Sequence, residues 1–469
     1  MIVAALAPTL TLDEVLTGTG GRLVSGAASA AALAGVSIDS RTAGGGELFV
    51  AIQGPRFDGH DFLADAASRG ATAALVHREV PSPEGMSVVR VDDTTRALGA
   101  LAGHVRQQAA IPVVGVTGSV GKTTTKDMAA ALLEARGPVL RTTGNLNNHW
   151  GLPLTLLGLR EEHTAAVLEM GMSAPGEIRA LSAIASPDVA VITRVAAVHL
   201  EFFESVDAIA AAKAEILEGL RPGGAAVLNG DDPRLRRVGE SFDGRVVWFG
   251  RDRRFDVSAE RWRGTAFGMR FDLRVAGETV DVALPLAGPH FVENFLAAAA
   301  AAHVLGVAPE TMAEVAAGIT PARHRGEVRR LGESVVLLDD SYNSSPEALD
   351  AAVVALTLAP GRRRVAILGD MLELGESGPR LHREAGKALA GQVDAVIGVG
   401  PLSKELVDGA REGGLAADAA WHLEDAPAAV EAVGDLVRPG DAVLVKASRG
   451  VQLETVVDAL VARFGGGVA

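Results

Sequence analysis

A glycine-rich turn between an apolar run and a helical stretch constrains the fold more than any other feature of the sequence. Residues 111–117 (IPVVGVT) form a continuous apolar run, which is typical of a strand buried on both faces of a parallel sheet. The overlapping segment 115–125 (GVTGSVGKTTT), called the phosphate loop below, then opens a predicted helix. Glycines let successive backbone N–H groups face inward, and a helix N-terminus adds about half a positive charge. The pattern therefore predicts a phosphate site on an α/β sheet.

Two side chains of the phosphate loop suit a nucleotide. Lys122 can reach terminal phosphates, and the Thr123 hydroxyl can ligate Mg²⁺. The spacing departs from the strict pattern G-x-x-x-x-G-K-T, because position 116 is Val. A strand-to-helix turn that binds nothing is the alternative, and Gly-Lys-Thr-Thr at a helix start disfavours it. The predicted phosphate-binding residues are Gly118, Ser119, Val120, Gly121, Lys122, Thr123 and Thr124.

Strand-like and helical stretches alternate along the 469 residues, a length that suggests about three domains. We predict an α/β protein divided into residues 1–110, 111–321 and 322–469. The second segment carries the phosphate loop on a parallel sheet, and the third is a second, Rossmann-like doubly wound unit. Residues 255–285 alternate in polarity and are rich in turns, which predicts an antiparallel β insertion or edge hairpin.

Composition excludes several classes of function. The chain has no cysteine, which rules out disulfides, zinc–thiolate sites, iron–sulfur clusters and thiol nucleophiles. It carries 58 acidic against 44 basic residues without a dense Lys/Arg run, which disfavours non-specific nucleic-acid binding. No stretch offers about 20 strongly apolar residues, and residues 1–12 lack the basic region of a signal peptide. We expect a cytoplasmic monomer that does not insert into membranes.

Two residues beyond the phosphate loop suit a magnesium site. Glu169 ends one predicted strand and His199 follows the next, at the sheet edge where open α/β sheets bind ligands. Taken singly, Glu169 is equally a helix-capping or ion-pairing carboxylate, and His199 equally a loop histidine with satisfied hydrogen bonds. Their occurrence at successive strand ends favours metal ligation. Lys213, in a helical stretch, has by its spacing alone the pattern of an ordinary surface lysine.

An asparagine-rich segment, residues 142–153 (TTGNLNNHWGLP), follows the helix of the phosphate loop. Amide side chains present both donors and acceptors, so Asn145, Asn147 and Asn148 could orient a carboxylate or amide substrate. Because Asn and Gly also favour turns, a simple turn-rich connection is the alternative.

The chain resembles the Mur ligases, the ATP-dependent amide-bond ligases of peptidoglycan precursor synthesis, over nearly its whole length. The motifs that carry the resemblance are GVTGSVGKTTT, TTGNLNNHWGLPLTLL, LEMGMSAPGEI, AAVHLEFF, AKAEIL, DDSYNSSPEAL and LGDMLELGE. N-terminal segments at 37–41, 46–54 and 58–62 are similar to the UDP-binding domain of family members. Residues 145–148, 340–343 and 368–375 favour the branch that adds D-alanyl-D-alanine.

The resemblance implies a set of site residues and the cofactors ATP and Mg²⁺, with two ions expected. It makes Lys122, Glu169, His199, Lys213 and Arg325 catalytic, and Thr123, Glu169, His199 and Lys213 metal-binding, with Lys213 carbamoylated. It places Asn294 at adenine, Arg325 at phosphate and Asp340 at ribose, although by themselves Asp340 could be a strand-end cap and Arg325 a linker charge. The implied substrate-binding residues are Ser40, Arg41, Asn145, Asn147, Asn148, Tyr342, Asn343, Lys446 and Arg449. Position 447 is Ala where the family usually has Gly.

The implied reaction activates the carboxylate of UDP-N-acetylmuramoyl-tripeptide as an acyl phosphate, which the amine of D-alanyl-D-alanine attacks. The third segment is expected to close over the site about a hinge at residues 320–324. The alternatives are a Mur-type ligase that adds a single amino acid, a folylpolyglutamate synthetase, a P-loop kinase or NTPase, and a non-catalytic scaffold. The UDP-type motifs disfavour the folate enzyme, and the sequence leaves open whether the third peptide residue is diaminopimelate or lysine.

Overall fold

The structure, a computed structural model, describes residues 10–27, 30–197, 201–265, 267–332 and 335–465. Three sheets with helices packed on them make up this described part, which confirms the predicted α/β fold class. Each sheet falls within one of the three predicted segments, and the exact boundaries stay a proposal. Among the described helices, none has the length and apolar character needed to cross a membrane.

The first segment holds a five-stranded sheet in the order β1-β5-β4-β3-β2, parallel except for the antiparallel β1–β5 pair. Its strands are β1 (Arg22–Ser25), β2 (Val36–Ser37), β3 (Leu48–Val50), β4 (Ala73–Val76) and β5 (Ser87–Arg90), and its helices are α1 (Leu12–Thr19), α2 (Leu63–Ser68) and α3 (Thr94–Gln108). Asp93 caps helix α3 by accepting from the N–H groups of Thr95 and Arg96.

The second segment holds a nine-stranded sheet in the order β14-β13-β12-β11-β10-β9-β6-β8-β7. Its strands are β6 (Val113–Thr117), β7 (Val139–Arg141), β8 (Ala165–Glu169), β9 (Val189–Ile192), β10 (Ala225–Asn229), β11 (Arg245–Gly250), β12 (Val257–Thr265), β13 (Gly268–Val275) and β14 (Glu278–Leu284). Its helices are α4 (Lys122–Glu134), α5 (Gly151–Leu156), α6 (Glu177–Ala185), α7 (Val206–Ala214), α8 (Pro233–Ser241), α9 (Pro289–Val304) and α10 (Pro309–Ala316).

The predicted antiparallel insertion is confirmed, and it extends the central sheet. Strands β12, β13 and β14 pair antiparallel with one another, while β12 joins the parallel strands through β11. Every residue of β6, β8 and β10 is buried, as expected for parallel strands covered on both faces. The alanine run of α9 is also wholly buried, and its small side chains let the helix lie close to α4 and the sheet.

The third segment holds a six-stranded sheet in the order β15-β16-β20-β17-β18-β19, parallel except for β15. Its strands are β15 (Glu327–Leu331), β16 (Val335–Asp340), β17 (Arg363–Gly369), β18 (Ala395–Val399), β19 (Ala420–Leu423) and β20 (Asp441–Lys446). Its helices are α11 (Pro346–Thr357), α12 (Gly378–Leu389), α13 (Ser403–Glu412), α14 (Ala426–Leu436) and α15 (Glu454–Phe464).

Arg106 joins the first two segments. Its fully buried guanidinium, at the end of α3, donates to the carbonyl oxygens of Ala185 (2.9 Å) and Ser186 (3.0 Å) and pairs with Asp188 (2.7 Å). Burial lowers the pKa of Arg106, and the Asp188 carboxylate opposes that shift. A single hydrophobic cluster runs from α1 and α3 into the central sheet, so the two segments share a core at this face.

Candidate active site

The phosphate loop runs from the end of β6 to the start of α4, as its sequence predicts. Gly118 and Gly121 have φ angles of +154° and +85°. A Cβ on Gly118 would lie 1.9 Å from Thr193 Oγ1, and one on Gly121 would lie 2.2 Å from Asn294 Oδ1. Both positions therefore need glycine, for the close approach as much as for the backbone angle.

Residues after β9 brace the phosphate loop from one side. Ser119 donates from its N–H to the Arg194 carbonyl (2.7 Å) and from its hydroxyl to the Ala196 carbonyl (3.1 Å). Thr193 Oγ1 donates to the Val120 carbonyl (2.7 Å). Residues 193–197 are called the β9 loop below, and they fix the shape of the phosphate loop.

The charge of Lys122 interacts with the charges of three other residues in the site. Its ammonium donates to the Gly118 carbonyl (2.9 Å). Burial is the largest effect, and it lowers the pKa of Lys122. The Glu169 carboxylate opposes this shift, Arg325 adds to it, and the Glu373 carboxylate opposes it. Arg325 and Glu373 belong to the C-terminal segment, so that segment reaches the phosphate loop in this structure.

Glu169 ends β8 with a side chain that is almost entirely buried. Thr123 Oγ1 donates to its Oε2, and Asn147 Nδ2 donates to its Oε1, each over 2.8 Å. These two bonds offset the cost of burying a carboxylate. A hydroxyl beside a carboxylate is also the hard oxygen donor set that Mg²⁺ takes.

Of the other two predicted metal ligands, His199 and Lys213, only Lys213 is among the described residues. His199 lies outside the described residues. Among the residues that are described, no group of three or more His, Asp or Glu side chains is arranged to hold a metal ion. The described oxygen donors, Thr123 and Glu169, fit part of a magnesium site.

Lys213, near the end of α7, is 2% exposed. The interpretation of Lys213 as a surface lysine, drawn from spacing alone, is therefore wrong. Burial lowers the pKa of Lys213 well below its usual value, and the charge of Lys122 lowers it further. Both effects favour the neutral amine over the ammonium ion.

The ring of Tyr342 lies beside two arginines of the C-terminal segment. The guanidinium carbon of Arg325 lies 3.9 Å from the centre of the Tyr342 ring, and that of Arg449 lies 5.3 Å from it. Arg449 Nη1 also donates to the Tyr342 hydroxyl (3.1 Å). Nearby, the buried Lys446 pairs with Asp340 (2.5 Å) and donates to the Asn343 carbonyl (2.8 Å).

One cavity of about 780 Å³ brings most of the predicted residues together. It is lined by the predicted residues Ser119, Val120, Gly121, Lys122, Thr123, Thr124, Asn145, Asn147, Asn148, Glu169, Lys213, Asn294, Arg325, Asp340, Tyr342, Asn343, Lys446 and Arg449. Gly118 shapes the phosphate loop without lining the cavity. Asn148 also caps α5, since its Oδ1 accepts from the N–H groups of Trp150 and Gly151.

Ser40 and Arg41 lie apart from this cavity, in the turn after β2 of the first segment. Ser40 is buried, whereas the Arg41 side chain is exposed and pairs with Asp39 (2.6 Å). Hydrogen bonds from Arg41 lower the pKa of Asp39 to about 2. The predicted UDP contacts therefore belong to a separate part of the molecule.

Sequence reasoning missed several polar residues that line the cavity, and His290 and Glu347 are the two with a buried unpartnered atom among the described residues. Burial lowers the pKa of His290 to about 4, and its Nδ1 has no hydrogen-bond partner among the described residues. Glu347 accepts from the Ala197 N–H (3.1 Å), while its Oε2 is buried without a partner in the described part of the chain. The motif DDSYNSSPEAL includes Glu347, but its pattern does not indicate the contact with Ala197, which is 150 residues away in sequence.

Family models match the three segments in turn. The Mur ligase family catalytic domain matches residues 32–106, the Mur ligase middle domain residues 116–302, and the glutamate ligase domain of Mur ligases residues 324–449. The chain therefore belongs to the Mur ligase family, whose members are ATP-dependent ligases.

Relatives of nearly full length place the chain in one branch of that family. UDP-N-acetylmuramoyl-tripeptide–D-alanyl-D-alanine ligases of Bacillus subtilis and Escherichia coli are 37% and 38% identical to it, each over 91% of this chain and 93% of theirs. MurF from Acinetobacter baumannii has a similar structure (TM-score 0.89, 32% identity, 96% of this chain and 98% of that one). So does MurF from Thermotoga maritima in complex with ADP (TM-score 0.83, 31% identity, 92% and 98%). The branch is that of the MurF ligases.

Proposed function

We propose that the chain joins UDP-N-acetylmuramoyl-tripeptide to D-alanyl-D-alanine with cleavage of ATP to ADP and phosphate. The relatives that carry this name in full match the chain over nine-tenths of its length. The structural observation that supports it best is the single cavity in which Lys122 and Arg325, from different segments, lie within electrostatic reach of each other. A ligase of this type needs cations from both sides of a bound triphosphate.

The chain's own residues supply the electrostatics of the first step. A carboxylate must approach a polyanionic phosphate, and like-charge repulsion is the main obstacle. Lys122, Arg325 and the inward-facing N–H groups of the phosphate loop stabilise the negative charge. A carboxylate oxygen bonds to the γ-phosphorus as the bond from phosphorus to the ADP oxygen breaks, which gives the acyl phosphate and ADP. The amine of the dipeptide then attacks the carbonyl carbon, the C–N bond forms, the nitrogen loses a proton to solvent, and phosphate leaves with the electrons of the single C–O bond that joined it to that carbon.

We propose Mg²⁺ as the metal, held by Thr123, Glu169, His199 and a carbamate on Lys213. Bound there, magnesium would neutralise phosphate charge and orient the phosphates. The lowered pKa of Lys213 supports carbamate formation, because only the neutral amine attacks carbon dioxide. In that step the N–C bond forms, the nitrogen loses a proton to solvent, and a new carboxylate results.

The remaining assignments follow the segments. We propose residues 1–110 as the UDP-substrate domain with Ser40 and Arg41 near the UDP, 111–321 as the ATP domain with Asn294 at adenine, and 322–469 as the domain that closes on ATP and binds the dipeptide. Asp340 would contact ribose; Asn145, Asn147, Asn148, Tyr342, Asn343, Lys446 and Arg449 would contact the substrates. A cytoplasmic location fits enzymes that use ATP and a UDP-linked precursor.

A product assay tests this function. The protein is incubated with ATP, Mg²⁺, UDP-N-acetylmuramoyl-tripeptide and D-alanyl-D-alanine, and the product is weighed by mass spectrometry. We expect the pentapeptide, and no product from Lys122→Ala although that variant folds. Product from single amino acids instead would support a ligase of another branch. ADP release at the same rate with and without the amine substrate would support an NTPase.

A further inference from the structure

We propose that Glu347 is a positioning residue that fastens the C-terminal domain to the phosphate loop through one peptide group of the β9 loop. The inference rests on the ligase function proposed above and adds a residue to it. Glu347 is the second residue of α11, after the N-cap Ser345, and it lies on the side of the C-terminal domain that faces the cavity.

The contact links two distant parts of the chain. Glu347 Oε1 accepts a hydrogen bond of 3.1 Å from the N–H of Ala197, 150 residues earlier in the sequence. The other oxygen, Oε2, is buried without a partner among the described residues. A carboxylate that is desolvated and only half bonded costs stability. The helix dipole favours an acidic residue in the first turn of α11, but it does not require the bond to Ala197.

The accepting and donating groups share a single peptide unit. The Ala197 N–H belongs to the same planar amide as the Ala196 carbonyl, and that carbonyl accepts from the Ser119 hydroxyl (3.1 Å). Glu347 of the C-terminal domain and Ser119 of the phosphate loop thus bond opposite ends of one rigid group. Hydrogen bonds in such a chain polarise and strengthen one another. The Ser119 N–H also donates to the Arg194 carbonyl (2.7 Å), which ties the same loop residue to the β9 loop twice.

Two other described contacts between the two domains lie away from the phosphate loop. Leu358 packs against the hydrophobic core of the central segment, and the Arg330 guanidinium lies 4.5 Å from the centre of the Phe267 ring. These contacts hold the C-terminal domain in place but do not touch the phosphate loop. Loss of Glu347 should therefore leave the domains docked and loosen the loop.

Nucleotide affinity tests the proposal without any need for ligation. Binding of ADP with Mg²⁺ is measured by calorimetry for the full chain, Glu347→Ala, Glu347→Gln and the control Glu431→Ala, which alters an exposed residue of α14. Removal of the acceptor in Glu347→Ala should weaken ADP binding about tenfold, the worth of one hydrogen bond to a charged group. Glu347→Gln keeps a carbonyl acceptor and should stay within about threefold of the parent. Glu431→Ala should bind as the parent does.

A double-mutant cycle tests whether Glu347 acts on Ser119 through the shared peptide group. If Ser119 and Glu347 act through the shared peptide, Ser119→Ala combined with Glu347→Ala should weaken ADP binding less than the product of the two single effects. Equal affinities of Glu347→Ala and the parent, equal loss in the Ala and Gln variants, or effects that multiply fully in the double variant would each overturn the proposal. Absence of the pentapeptide product from the parent protein would instead overturn the proposed function, and the affinities would still decide the role of Glu347.

Discussion

Lys213 shows how burial changes the chemistry of one side chain. In water a lysine is an ammonium ion and cannot attack carbon dioxide. On α7, burial and the nearby charge of Lys122 both disfavour the protonated form, which favours the nucleophilic amine. Carbamate formation would turn this buried amine into a carboxylate, the group a magnesium site needs.

Replacement of Lys213 by Ala should lower the rate of ligation by about 100-fold or more, because a metal ligand is lost. Formate or acetate added to the variant should restore part of the rate, since a small carboxylate can take the place of the carbamate. Lys404→Ala, at an exposed lysine of α13, is the control. The measurement is steady-state product formation with and without the added acid. A fully active Lys213→Ala enzyme would remove the carbamate from the mechanism.

Arg106, unlike Lys213, has a structural role. It is a buried cation that donates hydrogen bonds to backbone carbonyl oxygens and to the Asp188 carboxylate. Replacement by Ala removes the cation but leaves the Asp188 carboxylate and several carbonyl groups near the boundary of two segments. Breaking a buried ion pair from one side costs about 3–5 kcal/mol. We expect Arg106→Ala to lower the thermal unfolding midpoint by several degrees, and Arg69→Ala, at an exposed position, to leave it unchanged. Equal midpoints for the two variants would show that Arg106 does not join the segments.

At the scale of elements, the phosphate loop depends on glycine for two separable reasons. Gly121 needs a positive φ, and it also lies against Asn294 of α9. Gly223, before β10, has a φ of +81° with nothing within 4 Å of an added Cβ. Gly223→Ala therefore meets backbone strain alone, whereas Gly121→Ala meets strain and a clash.

We expect Gly121→Ala to lose nucleotide binding because Asn294 and the loop must move apart. Gly223→Ala should bind nucleotide normally and lose only about 1 kcal/mol of stability. Calorimetry with ADP and thermal unfolding measure the two effects. Normal ADP affinity in Gly121→Ala would mean that the close approach of Asn294 has no part in the site.

The sequence predicts elements well where burial imposes a pattern. Strands such as β8, β10 and β16 are apolar runs in the sequence, and nearly all of their residues are buried. Helix α7 gives no such guide, because seven of its nine residues are apolar (VDAIAAAKA) and they occur on every face, although the buried Ile209, Ala210, Ala212 and Lys213 share one face. Without a polar stripe, periodicity cannot show which way Lys213 faces. Strands β1 and β2 are short and only half-buried, so no apolar run marks them.

The residues that complete the cavity show a second limit. Lys122, Thr123 and Glu169 are recognisable because each stands next to a buried strand or a helix start. Glu347 and His290 owe their environment to segments that meet only when the chain is folded. A motif indicates the local backbone conformation, but it gives no information about contacts with residues that are distant in sequence.

At the scale of the whole molecule, we expect catalysis to depend on how the proposed C-terminal domain sits on the central one. Gly326, just after the predicted hinge at residues 320–324, has a φ of +72°, and a Cβ there would lie 2.5 Å from Phe291 of α9. His324 also has a positive φ, of +62°. The connection between the domains is thus a close fit against the helix that carries Asn294.

Gly326→Ala should hold the C-terminal domain away from the central domain, because its methyl group meets the Phe291 ring. Gly391, in the turn after α12, has a φ of +77° and open space around it, so Gly391→Ala has the same backbone strain without the clash. We expect ADP and both substrates to reduce the radius of gyration of the parent and of Gly391→Ala in solution scattering. Gly326→Ala should show a smaller reduction and a lower rate of ligation. Scattering profiles of the parent that do not respond to the ligands would rule out closure, and equal behaviour of the two glycine variants would place the hinge elsewhere.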